Sequence, residues 1–396
     1  VSVDGVLVLD EQADTMLYAG NLMLDVKMLP LLKKKVTIET AQLSDAKYRM
    51  VSEDSSMVLS AKIREVDMLL PEVDLGKNVV SIQNAGLRGG DIILDYFPEK
   101  AKPAEEDSVK TAWAIFADKI TLDEVHYKMH MLPTIEEMDA KVSHAELKNG
   151  YVDTGKSLVD VDYFGVDSMD VRYEYPTPEY LASHPVVEPD SVVTASSDTA
   201  LWTVKGRAVR LTNSHAVYAM AGAKPVSGLD MNYMEVGNVN IAIDSLYNRG
   251  VEVIVPIKSF TARERCGLEI TEANGTFRMD SMMMVIDRFK LKTVVSDLRA
   301  DARIDMGVFE EPSSGIIKLD ADANIDISDI ERAFPLYKAY LQSIPRTRPM
   351  QLAARINGTP QKVNVKTLRA ELPRYARIDV DGVVNNVMDE KRLGGE

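Results

Sequence analysis

The chain has 396 residues, of which 45% are hydrophobic, 27% charged and 6% aromatic, a globular composition that excludes disorder throughout. Its 46 basic and 61 acidic residues give a net charge of −15, which argues against coating of nucleic acid and against flat docking on an anionic membrane. Cys266 is the single cysteine, which excludes an internal disulfide and a cysteine-built metal site and leaves the compartment open.

Period-two alternation predicts strands along most of the chain. It is clearest from Leu298 to Val308 and from Ile317 to Ile327, where apolar and mostly charged residues alternate as in a sheet with one buried face. The predicted strands are 2–9, 56–63, 115–131, 202–220, 240–257, 276–295, 298–308, 317–327, 351–356 and 375–384. Their spacing favours an all-β fold built from hairpins and meanders.

Helix signals are few. Ser328 and Glu331 have the spacing of a capping box, which predicts one short helix over 329–343, and Pro335 should kink or split it. The leucine-rich segment 28–35 is predicted to form one short turn between strands.

Two segments rich in proline and acidic residues, 98–108 and 175–191, predict connectors. The expected parts are therefore β repeat units at 1–98, 109–175 and 192–396, the last carrying the helix, with connectors at 99–108 and 176–191. No run approaches the roughly 18 apolar residues of a membrane-spanning helix. Because Val1 already lies in a predicted strand without a signal peptide, we expect a processed piece of a longer protein.

The two tryptophans indicate an internal repeat. Trp113 and Trp202 are 89 residues apart (202 minus 113), and the same offset relates several other pairs. These pairs are Leu122 and Leu211, His126 and His215, Met131 and Met220, Glu146 and Glu235, and Leu147 and Val236. A smaller kernel, an apolar pattern interrupted by a short break, recurs at 36–50, 80–94 and 159–173, with a shorter version at 142–152. A chain built this way favours a groove or scaffold over a single pocket.

Residues 150–157 match the phosphate-binding P-loop pattern, with Gly150, Gly155, Lys156 and Ser157 in register. A P-loop needs a buried strand before the loop and a helix after it, whose free amides bind phosphate. Here both flanking segments alternate as strands. The pattern favours a polar hairpin turn, and a nucleotide-binding function is the weaker alternative.

Asp320, Asp322, Asn324 and Glu331 imitate the oxygen ligands of a calcium-binding loop. Ile325 stands where such a loop needs glycine for its sharp turn, and no helix precedes it. Alternation explains the acids as the solvated face of a strand, so we expect no metal site here.

The five histidines are His126, His130, His144, His184 and His215. Since His126 and His215 recur at equivalent repeat positions, a packing or hydrogen-bonding role is expected for them rather than catalysis. No serine elbow, cysteine dyad or separated carboxylate pair is recognisable. We therefore expect no enzyme, no catalytic residue and no cofactor.

Methionine is common, with 20 residues against 8 phenylalanines, and Met282, Met283 and Met284 are consecutive. In a strand these three point to both faces of the sheet, so one face is either covered or binds something apolar. Two interpretations stay open: a core between two sheets, or an apolar groove in which flexible thioethers fit acyl chains. The candidate groove residues are Leu122, Val209, Leu211, Met282, Met284 and Ile304.

Segment 259–307, the stretch IIKLDADANIDISDIERAFPLYKAYLQSI and the residues after it resemble the AsmA-like superfamily, and TamB-type translocation and assembly proteins of Bacteroidota in particular. The opening residues 1–50 are similar to the membrane-proximal units of that family. The similarity lies in strand cadence rather than in invariant residues, and no catalytic motif accompanies it.

The resemblance implies an elongated, curved, taco-like open trough of antiparallel sheet that spans the envelope of a Gram-negative bacterium. The expected function is binding or conduction of phospholipid between inner and outer membranes, within a periplasmic chain whose parent is anchored in the inner membrane. The expected alternative is a periplasmic scaffold for outer-membrane protein assembly. Expected partners are a phospholipid or other acyl lipid and outer-membrane assembly proteins, and no nucleic acid.

Overall fold

The computed structural model describes residues 1–10, 14–27, 34–52, 55–97, 112–131, 136–177, 180, 183, 201–309, 313–346, 348–387 and 394–395. These residues form strands almost throughout, so the predicted all-β class is confirmed. The chain divides into two compact units. Unit 1 comprises Val1–Pro225 and Asn232–Glu235, and unit 2 comprises Val226–Met231 and Val236–Glu396.

Unit 1 is a sheet in which strands neighbouring in sequence pair side by side. Its strands are β1 (Ser2–Leu9), β2 (Thr15–Lys27), β3 (Lys35–Val51), β4 (Met57–Asp74), β5 (Val79–Ile82), β6 (Asn84–Tyr96), β7 (Ala114–Met131), β8 (Glu136–Asp153), β9 (Leu158–Tyr175) and β10 (Thr203–Met220). Most pairs are antiparallel, but β5 and β6 pair with β7, and β9 pairs with β10, in parallel. The two predicted connectors join strands that pair in parallel: one joins β6 to β7, and the other joins β9 to β10. Most of each connector lies outside the described residues.

The predicted repeat is present in the strand boundaries. Strand β8 runs from 136 to 153 and β4 from 57 to 74, so both ends differ by 79 residues. Strand β10 runs from 203 to 220 and β7 from 114 to 131, so both ends differ by 89 residues, the offset of the two tryptophans. The two offsets differ by ten residues because the segment between β9 and β10 is ten residues longer than the segment between β6 and β7. The three-part division proposed from those connectors stays a prediction.

A row of left-handed residues crosses the strands of unit 1 at one level. Asp45, Gly89, Glu124, Ser168 and Asn213 all have φ between +49° and +62°. Each interrupts the pairing of its strand, and apolar positions lie three residues apart across it, as in Leu122 and Val125, rather than two. The left-handed residue is one extra residue in the strand. Beyond it the alternation continues shifted by one position, so the apolar side chains stay on the same face of the sheet. This row is the short break that the sequence kernel contains.

Unit 2 is an antiparallel meander. Its strands are β11 (Tyr233–Arg249, whose first residues belong to unit 1), β12 (Glu252–Glu264), β13 (Glu269–Met279), β14 (Met283–Thr293), β15 (Asp297–Asp305), β16 (Ile317–Ile325), β17 (Met350–Thr359), β18 (Lys362–Leu372), β19 (Ala376–Asn385) and β20 (Gly394–Gly395). Two predictions were wrong here: 240–257 and 276–295 are each two strands joined by a turn, at 250–251 and 280–282. Apolar residues on both sides of short turns concealed these boundaries.

The predicted helix is present and is split where proline stands. Helix α1 (Ile327–Ala333) begins after Asp326, whose side chain accepts a hydrogen bond from the Ser328 amide, so Asp326 is the N-cap rather than Ser328. It ends at Phe334, and a 3₁₀ turn (Pro335–Tyr337) leads into helix α2 (Lys338–Leu341). Pro335 has no amide hydrogen to donate to a carbonyl of the preceding turn, which accounts for the break. The predicted turn at 28–35 lies mostly outside the described residues.

The buried apolar residues are small. Among the residues that the structure describes, they are alanines, valines and one isoleucine, Ile327, with no leucine, methionine or aromatic residue. A closed sandwich of this size would bury many large side chains, because those side chains supply most of its hydrophobic stabilisation. Each sheet therefore leaves its large apolar side chains in part exposed.

Candidate functional site

An apolar row crosses unit 1 from strand to strand. It runs in register through Val3, Leu22, Leu43, Val66, Leu87, Leu122, Ala145, Val166 and Leu211. Side chains opposite each other on paired strands share one face, so this row is a continuous apolar strip perpendicular to the strands. With neighbouring strands about 4.8 Å apart, the strip is about 40 Å long.

The predicted groove residues Leu122, Leu211 and Val209 belong to this face. Leu122 and Leu211 lie in the strip itself, and Val209 lies two residues from Leu211, so it points to the same side. Val209 belongs to a parallel row that contains Met68, Ile120, Leu147 and Phe164. We call the two rows together the apolar face of unit 1.

Within the described part of the chain, the large side chains of the apolar face are only partly buried. Its small residues, such as Ala41 and Ala145, are buried between their larger neighbours, whereas Leu122, Val209 and Leu211 are half-buried. Phe164, on β9 next to the last strand of the face, is 39% exposed. Large apolar side chains that stay partly exposed side by side on one face are a feature of binding surfaces.

Unit 2 has an apolar row of its own. Val253, Met279, Met284, Ile304 and Ile317 stand opposite one another on successive strands. Met284 and Ile304, both predicted groove residues, are therefore direct neighbours and half-buried. Met282 lies outside the strand, in the turn before β14, and is 71% exposed.

The opposite face of unit 1 is polar and held by ion pairs. His126 contacts Asp91 at 3.3 Å and Asp139 at 3.0 Å, and the repeat-equivalent His215 contacts Asp170 at 3.0 Å. Burial disfavours the charged carboxylate of Asp139, but hydrogen bonds from His126 and Lys128 outweigh it and hold the pKa of Asp139 below its usual range. The predicted hydrogen-bonding role of the two repeated histidines is confirmed.

The other histidines follow the same pattern. His130 contacts Asp95 at 2.7 Å and His144 contacts Asp123 at 2.6 Å, while His184 lies outside the described residues. Within the described ranges, no three His, Cys, Asp or Glu side chains converge as a metal site requires.

The segment that matches a P-loop is a hairpin turn, as predicted. It joins β8 to β9, and the Asp153 carboxylate accepts a hydrogen bond from the Lys156 amide at 3.0 Å and pairs with the Lys156 ammonium at 2.8 Å. Hydrogen bonds from Lys156 and from the Tyr151 hydroxyl lower the pKa of Asp153 to about 2. The lysine that would bind phosphate is thus paired with a carboxylate of its own turn.

This turn is also a repeat. Asp74, Gly76 and Lys77 precede the equivalent turn residues Asp153, Gly155 and Lys156 by 79 positions, and Asp74 accepts from the amides of Gly76 and Lys77. The shared D-x-G-K sequence could have identified both segments as the same turn. A turn that recurs in successive repeats indicates a structural role.

Three of the four calcium-like residues lie on a strand, as predicted, and Glu331 lies on α1. Asp320, Asp322 and Asn324 are on β16, and Arg355 of β17 contacts Asp322 at 2.7 Å. Asn324 donates to Asp297 at 3.1 Å. These cross-strand contacts account for the polar side chains of this face without a metal ion.

Comparisons with known proteins give no identification. No protein family, no curated protein and no solved structure matches the chain. No helix among the described residues is long and apolar enough to cross a membrane. The half-buried apolar face is therefore the feature on which a functional proposal rests.

Proposed function

We propose that this chain binds or conducts phospholipid along the apolar face of its sheets, as a periplasmic section of an envelope-spanning, AsmA-like protein of a Gram-negative bacterium. The parent protein would be anchored in the inner membrane and would pass lipid between inner and outer membranes. No catalytic step belongs to this proposal.

The observation that carries the proposal is the continuous, partly exposed apolar strip through Leu122 and Leu211. It runs in the direction in which strands are added, so each repeat lengthens the same apolar path. Large apolar patches on protein surfaces mark binding sites. A strip without converging polar groups suits a ligand that is apolar along much of its length and that needs no specific hydrogen bonds there.

Acyl chains meet this requirement. Each methylene removed from water contributes about 0.8 kcal/mol, so a lipid that buries eight methylenes gains about 6 kcal/mol before the cost of immobilising it. An open face lets the charged headgroup stay in water while the acyl chain contacts the strip. Among the described residues, no leucine, methionine or aromatic side chain is buried, which supports an apolar groove over a core between two sheets.

Lipid extraction and mass spectrometry of the purified protein test the proposal, together with binding of a fluorescent phospholipid. We expect co-purified phospholipid, and we expect the double variant Leu122→Asp, Leu211→Asp to lose most of it because two carboxylates interrupt the apolar strip. The matched control is Lys47→Gln, Lys62→Gln, which changes the net charge equally but on the exposed polar face. Absence of lipid in the unsubstituted protein, or equal loss in both variants, contradicts the proposal.

A further inference from the structure

One end of unit 2 exposes a group of large apolar side chains. Three connections lie there: the loop 226–231, the turn between β14 and β15, and the helical connection between β16 and β17. We call the exposed group the apolar tip. Its members are Val226, Met231, Val294, Val295, Phe334, Leu336, Tyr337 and Tyr340.

Buried polar contacts hold the three connections together. The carboxylate of Asp329 in α1 accepts hydrogen bonds from the hydroxyls of Thr293 and Ser296, which fixes the β14–β15 turn against the helix. The Leu229 amide donates to the Ala333 carbonyl at 2.8 Å, which fixes the loop. The framework beneath the apolar tip is therefore ordered, while the apolar side chains point away from it.

The exposure of these side chains is extreme for a soluble protein. Leu336 is 88% exposed and Tyr340 is 77% exposed. Tyr340 lies four residues after Leu336 and three after Tyr337 in a helical segment, so it shares one side of the segment with each of them. Apolar groups of this size and density on a surface indicate that another apolar phase covers them.

The charge of the segment indicates which phase. Residues 327–348 carry four basic and two acidic side chains, although the whole chain carries 46 basic and 61 acidic ones. The two acids are nearly buried and paired, Asp329 with Arg332 and Glu331 with Arg346. The remaining charges, on Lys338 and Arg348, are exposed. The helical segment therefore presents apolar, aromatic and positive groups to its surroundings.

We propose that the apolar tip docks end-on into the interfacial region of a phospholipid bilayer that contains anionic lipid. Tyrosine and phenylalanine rings partition to the headgroup level, and lysine and arginine beside them contact lipid phosphates. Contact through the tip is made by a segment with more basic than acidic residues, so it avoids the flat docking that the net charge of −15 opposes. This docking rests on the proposed lipid function, because it would hold unit 2 beside a source of lipid.

Co-flotation with vesicles tests the inference, with phosphatidylcholine alone and with phosphatidylcholine containing phosphatidylglycerol. We expect the protein to float with the mixed vesicles, and the triple variant Leu336→Ser, Tyr337→Ser, Tyr340→Ser to bind them at least tenfold more weakly. The matched control, Val251→Ser, Phe309→Ser, Ile316→Ser, changes three exposed residues at the other end of the same strands. It should float like the unsubstituted protein.

Two further arms separate this inference from the proposed function. The tip variant should still bind a monomeric fluorescent phospholipid, whereas Leu122→Asp, Leu211→Asp should lose that binding and still float. Circular dichroism should show unchanged melting of the tip variant, since the replaced side chains are exposed. The inference is overturned if the unsubstituted protein does not float with the vesicles, or if the control variant loses as much flotation as the tip variant. It is also overturned if the tip variant floats normally but no longer self-associates. The last result would assign the tip to a protein interface.

Discussion

Replacing Phe164 by alanine distinguishes an open apolar face from a closed core. A fully buried phenylalanine contributes about 1.5–3 kcal/mol by transfer from water, and its replacement by alanine in a closed core costs about 3–5 kcal/mol because a cavity is left behind. Phe164 is 39% exposed, so about three fifths of the transfer contribution applies. The space that it leaves opens to water and adds no cavity cost. We expect a loss of about 1–2 kcal/mol.

Urea unfolding followed by circular dichroism measures this loss as a shift of the midpoint at constant slope. Val161→Ala is the comparison, because Val161 lies on the same strand and is buried, with 8% exposure, and its replacement removes two methyl groups. A loss above 3 kcal/mol for Phe164→Ala would mean that something covers the face, and the open-face interpretation would be wrong.

The remaining predictions concern the turns and the polar face. Glu124, at φ +56°, should tolerate or gain from replacement by glycine and lose about 1–2 kcal/mol on replacement by valine, measured by the same urea titration; equal effects would contradict a left-handed role. The pKa of Asp153, about 2, lies below the ordinary 3.8, so the stabilising contribution of this carboxylate is present above pH 4 and is lost as the pH falls towards 2. Asp153→Asn should therefore flatten the acid side of a plot of melting temperature against pH. An unchanged plot would count against the ion pair. Hydrogen bonding to Asp170 raises the pKa of His215 above 6.5 despite partial burial, so its contribution is complete below pH 6.5 and is lost as the pH rises through the raised pKa; His215→Gln should remove that decline. Gly228, at φ +92°, has no room for a side chain, since a Cβ would lie 2.6 Å from the Ala333 carbonyl; Gly228→Ala should lower the melting temperature, and a rise would refute the close approach.

The sequence predicted the repeat and most of the strands because both depend on local signals. The tryptophan offset of 89 residues is the offset of β7 and β10, and strand 2–9 has the predicted bounds. Alternation of apolar and polar residues is a property of each strand alone, so it needs no knowledge of partners. The same reasoning identified the hairpin turn at 154–157 and the solvated strand at 320–324.

Strand length and pairing were beyond the sequence for physical reasons. The strand predicted at 56–63 continues to Asp74. Its second half was missed because alternation shifts by one position at Arg64, beside the row of left-handed residues. Parallel pairing of β6 with β7 depends on the path of a connector, which no local pattern encodes. Phe164 and Leu147 were not predicted as residues of the apolar face, because their place in it depends on which residues they pair with on neighbouring strands.

Site-specific photocrosslinking tests the central claim most directly. A photoreactive residue at position 122 or 211 should crosslink to phospholipid in the purified protein, because both positions lie in the apolar strip. The same residue at position 62 or 141, on the exposed polar face, should give none. Crosslinks of equal yield at all four positions, or none at 122 and 211, would contradict the claim that the apolar face binds lipid.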